Sequence, residues 1–536
     1  MSEFGALSLV PPLLAIVLAI VTRKAVLSLF LGVWSGGIIY TGSLGLAQAF
    51  NWIVASVGAS EFHTQILIFT LLLGSAVAFI WRLGGSHAVR DWALKRLETQ
   101  KKVGIGAWLL GLVIFFDDYA NTAVVGSTVK DVSDNFNISR EKLSYVVDST
   151  AAPVSTLAIS SWVAFQLGLI GDAYESLGVE SAPSAFEIFL RSIPYNMYSI
   201  LAIVMVGIIV ISQRDYGEML TAEHRAAETG KVTRDDAQPM QDVESTLGEP
   251  NVENPRLMAF LGPIAVLVVV TLGSALYTGG FPLGEFAGDP GGVLYDSVTN
   301  ADYASALIYG SFAMVVSAFL IAWAYDLMSL GDSVDTTIDG FGIMLTAVTI
   351  LVLAWAIGEV VSALGTGEYV AGIAEAYLSE QLIPFVVLFT AAFIAFSTGT
   401  SWGTMGIVTP IAVPVAWNIA GTHEMVAAAV GAIFSGAIFG DHCSPISDTT
   451  VLSSTFTGAD LIDHVRTQLY YAVTVILVAA ALLLVWGYTR ITPLVLLPVG
   501  MLALFGLVYG LSEFDASRRG ISPQASVDRE EIPADD

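Results

Sequence analysis

Long apolar runs alternate with short polar segments along nearly the whole chain. Runs of about 20 hydrophobic residues, the length that crosses a bilayer as a helix, recur between Ala6 and Tyr509. The pattern predicts an all-α polytopic membrane protein with about 11 transmembrane helices and two re-entrant hairpins. The predicted crossings are residues 6–22, 25–41, 65–83, 148–170, 195–212, 257–276, 303–325, 342–364, 425–454, 469–488 and 493–509.

Two further apolar stretches are interrupted by polar motifs near their middle. Residues 104–116 give only 13 apolar residues before the motif at 117–121, and residues 382–396 run into a motif rich in Ser, Thr and Gly. A helix that short is about 20 Å long, which is less than the ~30 Å thickness of the hydrocarbon core. We therefore predict re-entrant hairpins at 104–133 and 382–418, each with its polar tip inside the membrane.

The two halves of the chain share one order of elements, namely a crossing, a hairpin, a polar crossing that contains proline, and a crossing. The first series, 65–212, begins outside the membrane and the second, 342–488, begins inside, which predicts two inverted repeats with discontinuous helices. Secondary transporters are often built in this way, with the substrate site at the midplane between the repeats. The other predicted segments are N-terminal spans (1–64), an acidic cytoplasmic linker of poor order (213–255), connecting spans (256–341), a last span (489–512) and a disordered acidic tail (513–536).

Basic residues concentrate in two short loops. Arg23 and Lys24 follow the first crossing, and five Lys or Arg residues lie between positions 90 and 102. Because positively charged loops stay in the cytoplasm, we predict a multi-pass protein of the cytoplasmic (inner) cell membrane with its N-terminus outside and its C-terminus inside. The first apolar run has no basic residue before it, so we expect a retained span and not a signal peptide.

The composition agrees with a membrane protein and excludes several other classes. The chain is 55% hydrophobic and only 13% charged, whereas soluble proteins contain about 25% charged residues. The net charge of −26 predicts a surface adapted to high salt, as in a halophile, or a vestibule that concentrates cations. A single cysteine excludes an internal disulfide and a multi-cysteine metal site, and the lack of a P-loop motif argues against an ATP-driven motor.

The segment 439–454 is the strongest candidate for chemistry. Asp441 and Asp448 follow an apolar run and flank Pro445. A proline within a helix cannot donate its amide, and its ring clashes with the carbonyl four residues earlier, here that of Asp441. If the segment is helical, both acids and Ser444 share one face. Carboxylate, hydroxyl and freed carbonyl oxygens are ligands that hard cations prefer, and ionisable residues inside a membrane point to function.

Other candidate ligands are acids and small polar residues in the interrupted elements. Ion or proton binding is predicted at Asp118, Asn121, Asp148, Ser155, Thr156, Glu359, Ser401, Thr404, Asp441, Ser444, Ser447, Asp448 and Thr449. Within this set, the ligands assigned to Na⁺ are Asp441, Asp448, Asp118 and Asn121.

Structural alternatives exist for several of these residues. Asp117 and Asp148 could each cap a helix, and Glu359 could lie on a hydrated surface. The hydroxyl groups could repair backbone hydrogen bonds that are freed at helix breaks. His442 could shuttle protons or make a structural hydrogen bond, and Cys443 is expected to be a packing residue.

Two stretches of the second half, 440–454 and 463–469, resemble the signature of the NhaC family of sodium/proton antiporters. In the first half, 116–121 and 148–154 resemble motifs of the same family, so that the resemblance covers about 65–490. It implies an ion-coupled antiporter with inverted repeats and two re-entrant hairpins. Family members exchange Na⁺ for H⁺, and some relatives exchange organic anions, such as malate for lactate.

Exchange of Na⁺ for H⁺ needs a site that binds either ion but not both, and a carboxylate meets this need. The ionised form binds the cation, and the protonated form has no charge and releases it. We predict a secondary active antiporter of the lipid bilayer, not an enzyme, that exchanges Na⁺ or Li⁺ for H⁺. No cofactor and no nucleic-acid partner is expected, and the sequence leaves a homodimer open.

Three alternative functions follow from other features. An ion-coupled exchanger of organic anions would need a buried arginine, and the nearest cases, Arg82 and Arg191, lie near membrane edges. Gly399, Ser401 and Gly403 match the G-x-S-x-G pattern of serine hydrolases, although at a predicted hairpin tip. A passive channel is the third alternative, and coupled proton movement against a gradient would exclude it.

Overall fold

The computed structural model describes residues 4–22, 24–58, 61–85, 88, 92, 99–115, 118–158, 160–179, 183–239, 256–282, 284, 288–366, 369 and 379–525. Eight helices within these ranges are long and apolar enough to cross a membrane, or up to eleven if each of three bent pairs is one span. The predicted all-α polytopic membrane fold is therefore confirmed.

The N-terminal part consists of α1 (Val10–Thr22), α2 (Ala25–Thr41) and α3 (Leu46–Gly58). Helix α3 folds back on α2 at an angle of 118°. The side chains of Ala49 and Trp52 are buried on the inner face of α3, which explains why this mixed segment is helical.

Seven helices of the first half lie in the described residues. They are α4 (Glu61–Arg82), α5 (Gln100–Val113), α6 (Asp118–Asn135), α7 (Arg140–Ser155), α8 (Ser161–Leu177), α9 (Ala185–Ser192) and α10 (Met197–Ser212).

The predicted crossing 148–170 is a broken helix. Helix α7 already begins at Arg140 and ends at Ser155, and α8 begins only at Ser161. Pro153 lies inside α7, close to its end, where it removes one amide donor and weakens the last turn. The discontinuous helix predicted for this crossing agrees with the break, and the predicted interruption of the hairpin 104–133 agrees with the gap between α5 and α6.

The remaining helices connect the halves, build the second half and complete the chain. They are α11 (Glu218–Thr229), α12 (Met258–Thr278), α13 (Pro290–Thr299), α14 (Tyr303–Ala324), α15 (Leu330–Ala363), α16 (Ile383–Thr398), α17 (Ser401–Ala420), α18 (His423–Cys443), α19 (Asp448–Thr457), α20 (Leu461–Thr489) and α21 (Pro493–Arg519).

The second half repeats the order of elements of the first. The predicted hairpin 382–418 corresponds to α16 and α17, and the predicted crossing 425–454 is broken into α18 and α19. Helices α16 and α17 are each long and apolar enough to cross a membrane. The re-entrant path of this pair and the inverted relation of the two halves therefore stay predictions.

Two helices of the second half begin well before the predicted membrane boundary. Helix α15 begins at Leu330, where the Ser329 hydroxyl accepts the amide of Asp332 in a capping box. Helix α20 begins at Leu461 and is capped by the carboxylate of Asp460. The first turns of both helices are polar, so hydropathy does not include them in the predicted crossings. Their N-terminal caps and their burial stabilise them as helix.

Helices α4 and α15, the first crossings of the two series, pack directly on each other. A Cβ atom on Gly74 would lie 2.3 Å from the carbonyl oxygen of Gly340, so the two backbones are in close contact. At the end of α4, the Arg82 guanidinium donates to Asp339 and Thr336, each at 2.7 Å. This arginine therefore belongs to the α4–α15 contact.

The acidic linker is not poorly ordered over its described part. Residues 213–239 contain α11 and pack against α7 and α20. Lys142 of α7 lies 2.7 Å from Asp215 and 3.2 Å from Glu223, and all three side chains are at most 5% exposed. Pairing of this kind lets an acid-rich segment become buried. Residues 240–255 lie outside the described residues.

The C-terminal tail is also more ordered than predicted over its described part. Helix α21 continues to Arg519, whose guanidinium donates to Thr221 of α11. Gln524 donates to the carbonyl of Ser212 at 2.8 Å. The tail thus packs along the linker, and its last residues, 526–536, lie outside the described residues.

The core is organised around α18. In the membrane-spanning window of this helix 94% of the residues are buried, compared with 56% or less in each other candidate single span. A helix that is covered on all sides can hold polar groups away from lipid, and α18 ends in Asp441, His442 and Cys443.

Candidate cation and proton site

The site forms where α18 ends and α19 begins. The backbone at Ser444 is extended (φ −90°, ψ 123°), and its amide donates to the carbonyl of Asp441 at 3.1 Å. Pro445 lies in this break and not inside a helix, so the segment is not one continuous helix and the two acids do not share a helical face. The carbonyl of Asp441 also accepts the Thr450 hydroxyl at 3.3 Å, so it is only partly available as a ligand.

Asp441 points its carboxylate back across the break. Its Oδ1 accepts the Ser447 hydroxyl at 2.6 Å, and its Oδ2 accepts the Thr449 hydroxyl at 2.7 Å. Ser447 also caps α19 by accepting the amide of Thr450 at 3.3 Å, which fixes the position of its hydroxyl. Asp441 is fully buried.

Asp448 is the first residue of α19, and its carboxylate contacts the first repeat. Its Oδ1 accepts the amide of Thr449 at 2.8 Å, and its Oδ2 accepts the Tyr119 hydroxyl of α6 at 2.7 Å. A carboxylate at a helix N-terminus is stabilised by the helix dipole, which favours an acid at this position.

The two carboxylates form one electrostatic unit. Both are buried at one helix break, so that a charge on one raises the electrostatic cost of a charge on the other, and the turn between α16 and α17 packs against the break. Gly399, at φ +69°, lies so close that a Cβ atom would be 2.5 Å from the carbonyl oxygen of Ile446. Only glycine combines this backbone conformation with this approach.

Asp118 and Asn121 lie close to Tyr119 in the first turn of α6. Asp118 is the first residue of α6 and is 1% exposed. The Asn121 amide donates to the carbonyls of Gly111 at 2.7 Å and Ile114 at 2.8 Å, which lie at the open end of α5. The Asn121 Oδ1 is buried and has no hydrogen-bond partner among the described residues. Asp117 lies outside the described residues.

Asp148 lies in the middle of α7, so it does not cap the helix; Ser139 does. Its Oδ1 accepts the Ser453 hydroxyl at 3.0 Å, and its Oδ2 accepts the Gln468 amide at 2.6 Å. The Nε2 atom of His464 lies 3.4 Å from Oδ2. Asp148 is therefore the centre of a second buried polar cluster, built from α7, α19 and α20.

Several predicted ligands do not contact these carboxylates. Their hydroxyl groups bond to the backbone or to other polar residues, which is the repair role that broken helices require. Ser155 donates to the Ala151 carbonyl, Thr404 to Thr400, Ser401 to Ala437 and Ser444 to Phe396, while Thr156 bonds to Pro153, Ser199 and Asn196.

Glu359 is half-buried on α15, one turn after Trp355, and no hydrogen bond or ion pair connects it to the candidate site in the described part of the chain. His442 faces away from Asp441, and its Nδ1 lies 3.1 Å from the Tyr198 hydroxyl. Cys443 is buried. No group of three or more His, Cys, Asp or Glu side chains in the described residues is arranged to hold a metal ion.

Sequence reasoning missed four residues that contact the acids: Tyr119, Ser453, His464 and Gln468. The stretch 463–469 carried part of the family resemblance, and His464 and Gln468 have the i, i+4 spacing of one helical face. Residues 455–468 lie between two predicted crossings, where a loop is expected, so this helical spacing does not stand out in the sequence. Tyr119 could be found only from the pairing of distant elements.

A buried unit of two carboxylates at a helix break, inside a polytopic helical fold, is the arrangement of an ion-coupled membrane transporter. The chain belongs to the Na⁺/H⁺ antiporter family, because the model of that family matches residues 154–488, which is more than half of the sequence. The predicted family is confirmed, and the protein is an ion antiporter.

Three relatives place the chain within this family. An uncharacterized protein of Haemophilus influenzae is 34% identical over 491 residues, which is 90% of this chain and 91% of that protein. The Na⁺/H⁺ antiporter NhaC of Alkalihalophilus pseudofirmus is 29% identical over 161 residues, or 30% of this chain and 34% of that protein. The malate-2H⁺/Na⁺-lactate antiporter of Bacillus subtilis is 34% identical over 112 residues, or 21% and 23%.

Proposed function

We propose that this protein exchanges Na⁺, or Li⁺, for H⁺ at the Asp441–Asp448 unit. The observation that carries the proposal is the burial of two carboxylates at one helix break, whose hydrogen-bond donors in the described residues are hydroxyl and backbone amide groups. Two ionised carboxylates side by side in a buried site repel each other and lack water. A proton or a cation removes this cost, so each competes with the other.

The hydroxyls of Ser447 and Thr449 can serve the site both when it holds a proton and when it holds a cation. At present they donate to Asp441, but a hydroxyl oxygen also has lone pairs and can turn to coordinate a cation. Together with Asp441 and Asp448 they supply the all-oxygen surroundings that a hard cation prefers. We propose that Asp118 and the Oδ1 atom of Asn121 complete the site from the first repeat.

The surroundings of the acids favour a cation over an organic anion. In the part of the chain that the structure describes, no Lys or Arg side chain hydrogen-bonds to Asp441, Asp448 or Asp148. Of the two arginines that could have served an anion, Arg82 pairs with Asp339 and Arg191 makes an exposed pair on its own helix. A carboxylate substrate would need such a partner.

Exchange of an organic anion is the second candidate, because the Bacillus subtilis relative is named for malate and lactate. The match covers only 21% of this chain. We further propose that the protein lies in the cytoplasmic membrane, with its N-terminus outside and its C-terminus inside, and that one repeat moves against the other during transport. A homodimer is compatible with this proposal.

The test is reconstitution into liposomes that contain a pH-sensitive dye. Pulses of Na⁺ and Li⁺ should move protons, while K⁺ and malate should not. Asp441→Asn and Asp448→Asn should abolish the Na⁺ response, because each removes one charge of the unit. Glu187→Gln is the matched control, since it removes a carboxylate from an exposed pair. A response to malate alone, or full activity in both aspartate variants, would refute the proposal.

A further inference from the structure

A second buried acid lies apart from the Asp441–Asp448 unit. Asp148 is fully buried, and so are its partners Ser453, His464 and Gln468. In the described residues Asp148 accepts hydrogen bonds from Ser453 and Gln468, the Nε2 atom of His464 lies 3.4 Å from its Oδ2, and neither acid of the unit bonds to it. A carboxylate that is buried among neutral donors and imidazole, without a Lys or Arg partner in the described residues, has the surroundings of a proton carrier.

Gln468 joins this acid to the helix that carries Asp441. Its amide nitrogen donates to Asp148 at 2.6 Å and to the carbonyl of His442 at 2.9 Å. The His442 carbonyl lies in the last turn of α18, where no helical amide follows to satisfy it. Gln468 therefore positions Asp148 relative to the break between α18 and α19.

The groups that face Asp148 are buried and can hold or pass a proton. Both ring nitrogens of His464 and the Nε2 of His442 are buried and have no hydrogen-bond partner among the described residues, and the His464 Nε2 lies 3.4 Å from the Asp148 Oδ2. Buried polar atoms of this kind need an explanation. The titratable groups that interact with Asp148 are His464 on α20, His442, Asp441 and Cys443 on α18, and Tyr198 on α10.

We propose that Asp148 and His464 form a second proton site, so that the protein moves more than one H⁺ for each Na⁺. This inference rests on the proposed Na⁺/H⁺ exchange. In the loaded state, Asp148 carries the proton on Oδ2 and His464 is neutral with its hydrogen on Nδ1. The proton passes from Oδ2 to Nε2, and the imidazolium then releases the Nδ1 proton to water. One proton leaves, and His464 is neutral again in its other tautomer.

The charges couple this site to the cation site with the sign that antiport requires. The charge of Asp148 interacts with that of Asp441. A cation at the Asp441–Asp448 unit favours the ionised form of Asp148 and so the loss of its proton. Departure of the cation favours proton uptake. Na⁺ binding at the unit therefore accompanies H⁺ release from Asp148, and Na⁺ release accompanies H⁺ uptake, within one transport cycle.

The test sets equal Na⁺ and H⁺ concentration ratios in the same direction across liposomes, with valinomycin and equal K⁺ holding the potential at zero. A one-for-one exchanger then has no driving force, whereas an exchanger that carries additional H⁺ moves protons down their gradient. Wild type is expected to show this flux. Asp148→Asn is expected to lose it, while exchange of radioactive Na⁺ for Na⁺ continues.

His464→Gln serves as the second variant, because it keeps a polar side chain and removes only the titrating group. We expect it to slow the flux under equal ratios by about tenfold, with Na⁺/Na⁺ exchange intact. No flux from wild type under equal ratios would overturn the inference. The same would follow if both variants kept the wild-type flux, or if both lost Na⁺/Na⁺ exchange.

Failure of the proposed function gives a different result. In that case a Na⁺ gradient alone would move no protons in wild type, or would move them equally well in Asp441→Asn. If wild type responds to Na⁺ alone but shows no flux under equal ratios, Na⁺/H⁺ exchange stands and only the second proton site is wrong.

Discussion

The Tyr119 hydroxyl donates to the Oδ2 atom of Asp448 at 2.7 Å and so joins the tip of the first hairpin to the broken helix of the second half. The two residues are 329 positions apart in the chain. Both groups are buried, and a hydrogen bond to a charged group contributes about 1.5–3 kcal/mol when it is buried. Tyr119 is therefore the contact through which a movement of the first hairpin would alter the cation site.

Tyr119→Phe should weaken Na⁺ binding. The ionised Asp448 loses a donor, and the loss of about 1.5 kcal/mol corresponds to an increase of about tenfold in the Na⁺ concentration for half-maximal transport. Tyr145→Phe is the control, because the buried Tyr145 hydroxyl has no hydrogen-bond partner in the described structure. Equal Na⁺ dependence of both variants in the liposome assay would show that the contact does not serve the cation site.

Thr449→Val should also raise the Na⁺ concentration for half-maximal transport, by about five- to tenfold. The change keeps the shape of the side chain and removes the hydroxyl that donates to Asp441 at 2.7 Å, worth about 1–1.5 kcal/mol. Thr455→Val on the same helix is the matched control, since the Thr455 hydroxyl bonds only to the carbonyl one turn earlier. If the two variants respond alike to Na⁺, Thr449 is no part of the cation site.

The acids of the proposed cation site stand out in the sequence because they interrupt an apolar run on either side of a proline. Asp441 and Asp448 are unusual in that context whatever their exact conformation. The local geometry could not be predicted in the same way. Helix α18 ends at Cys443 and Pro445 lies in the break, so that the acids lie on two different helices and not along one helical face.

The elements that hydropathy misjudged are those stabilised by distant partners. Residues 461–468 are too polar for hydropathy to assign them to the span that follows. His464 and Gln468 are nevertheless buried, because both contact the carboxylate of Asp148. The composition of the linker predicted poor order. Two of its acids, Asp215 and Glu223, nevertheless pair with Lys142, which lies more than 70 positions away in the chain. A propensity or a window average contains no information about such pairs.

Gly440→Ala should reduce thermal stability and transport together. A Cβ atom at this position would lie 2.4 Å from the carbonyl oxygen of Ala392 on α16, so α16 and α18 would have to separate. Overpacking of this kind costs about 1–3 kcal/mol, and the shift displaces the adjacent Asp441. Gly168→Ala is the control, because nothing lies within 4 Å of the new Cβ there. The melting temperature in detergent should fall for Gly440→Ala only.

Lys142→Met should destabilise the contact between the linker and the first repeat. Asp215 and Glu223 lie at 2.7 Å and 3.2 Å from the Lys142 ammonium, and Asp215 also accepts the Tyr471 hydroxyl of α20 at 2.6 Å. Removing the cation leaves two buried carboxylates near each other, which costs about 3–5 kcal/mol.

The triple variant Lys142→Met, Asp215→Asn and Glu223→Gln should recover most of that loss, because it leaves no uncompensated charge. Lys231→Met breaks an exposed pair with Asp235 and should change the melting temperature little. The measurement is thermal unfolding of each purified variant, with limited proteolysis of the segment 213–239. If Lys142→Met is as stable as Lys231→Met, the buried triad does not hold the linker against α7. In that case the segment 213–239 should be equally protected from proteolysis in all three variants.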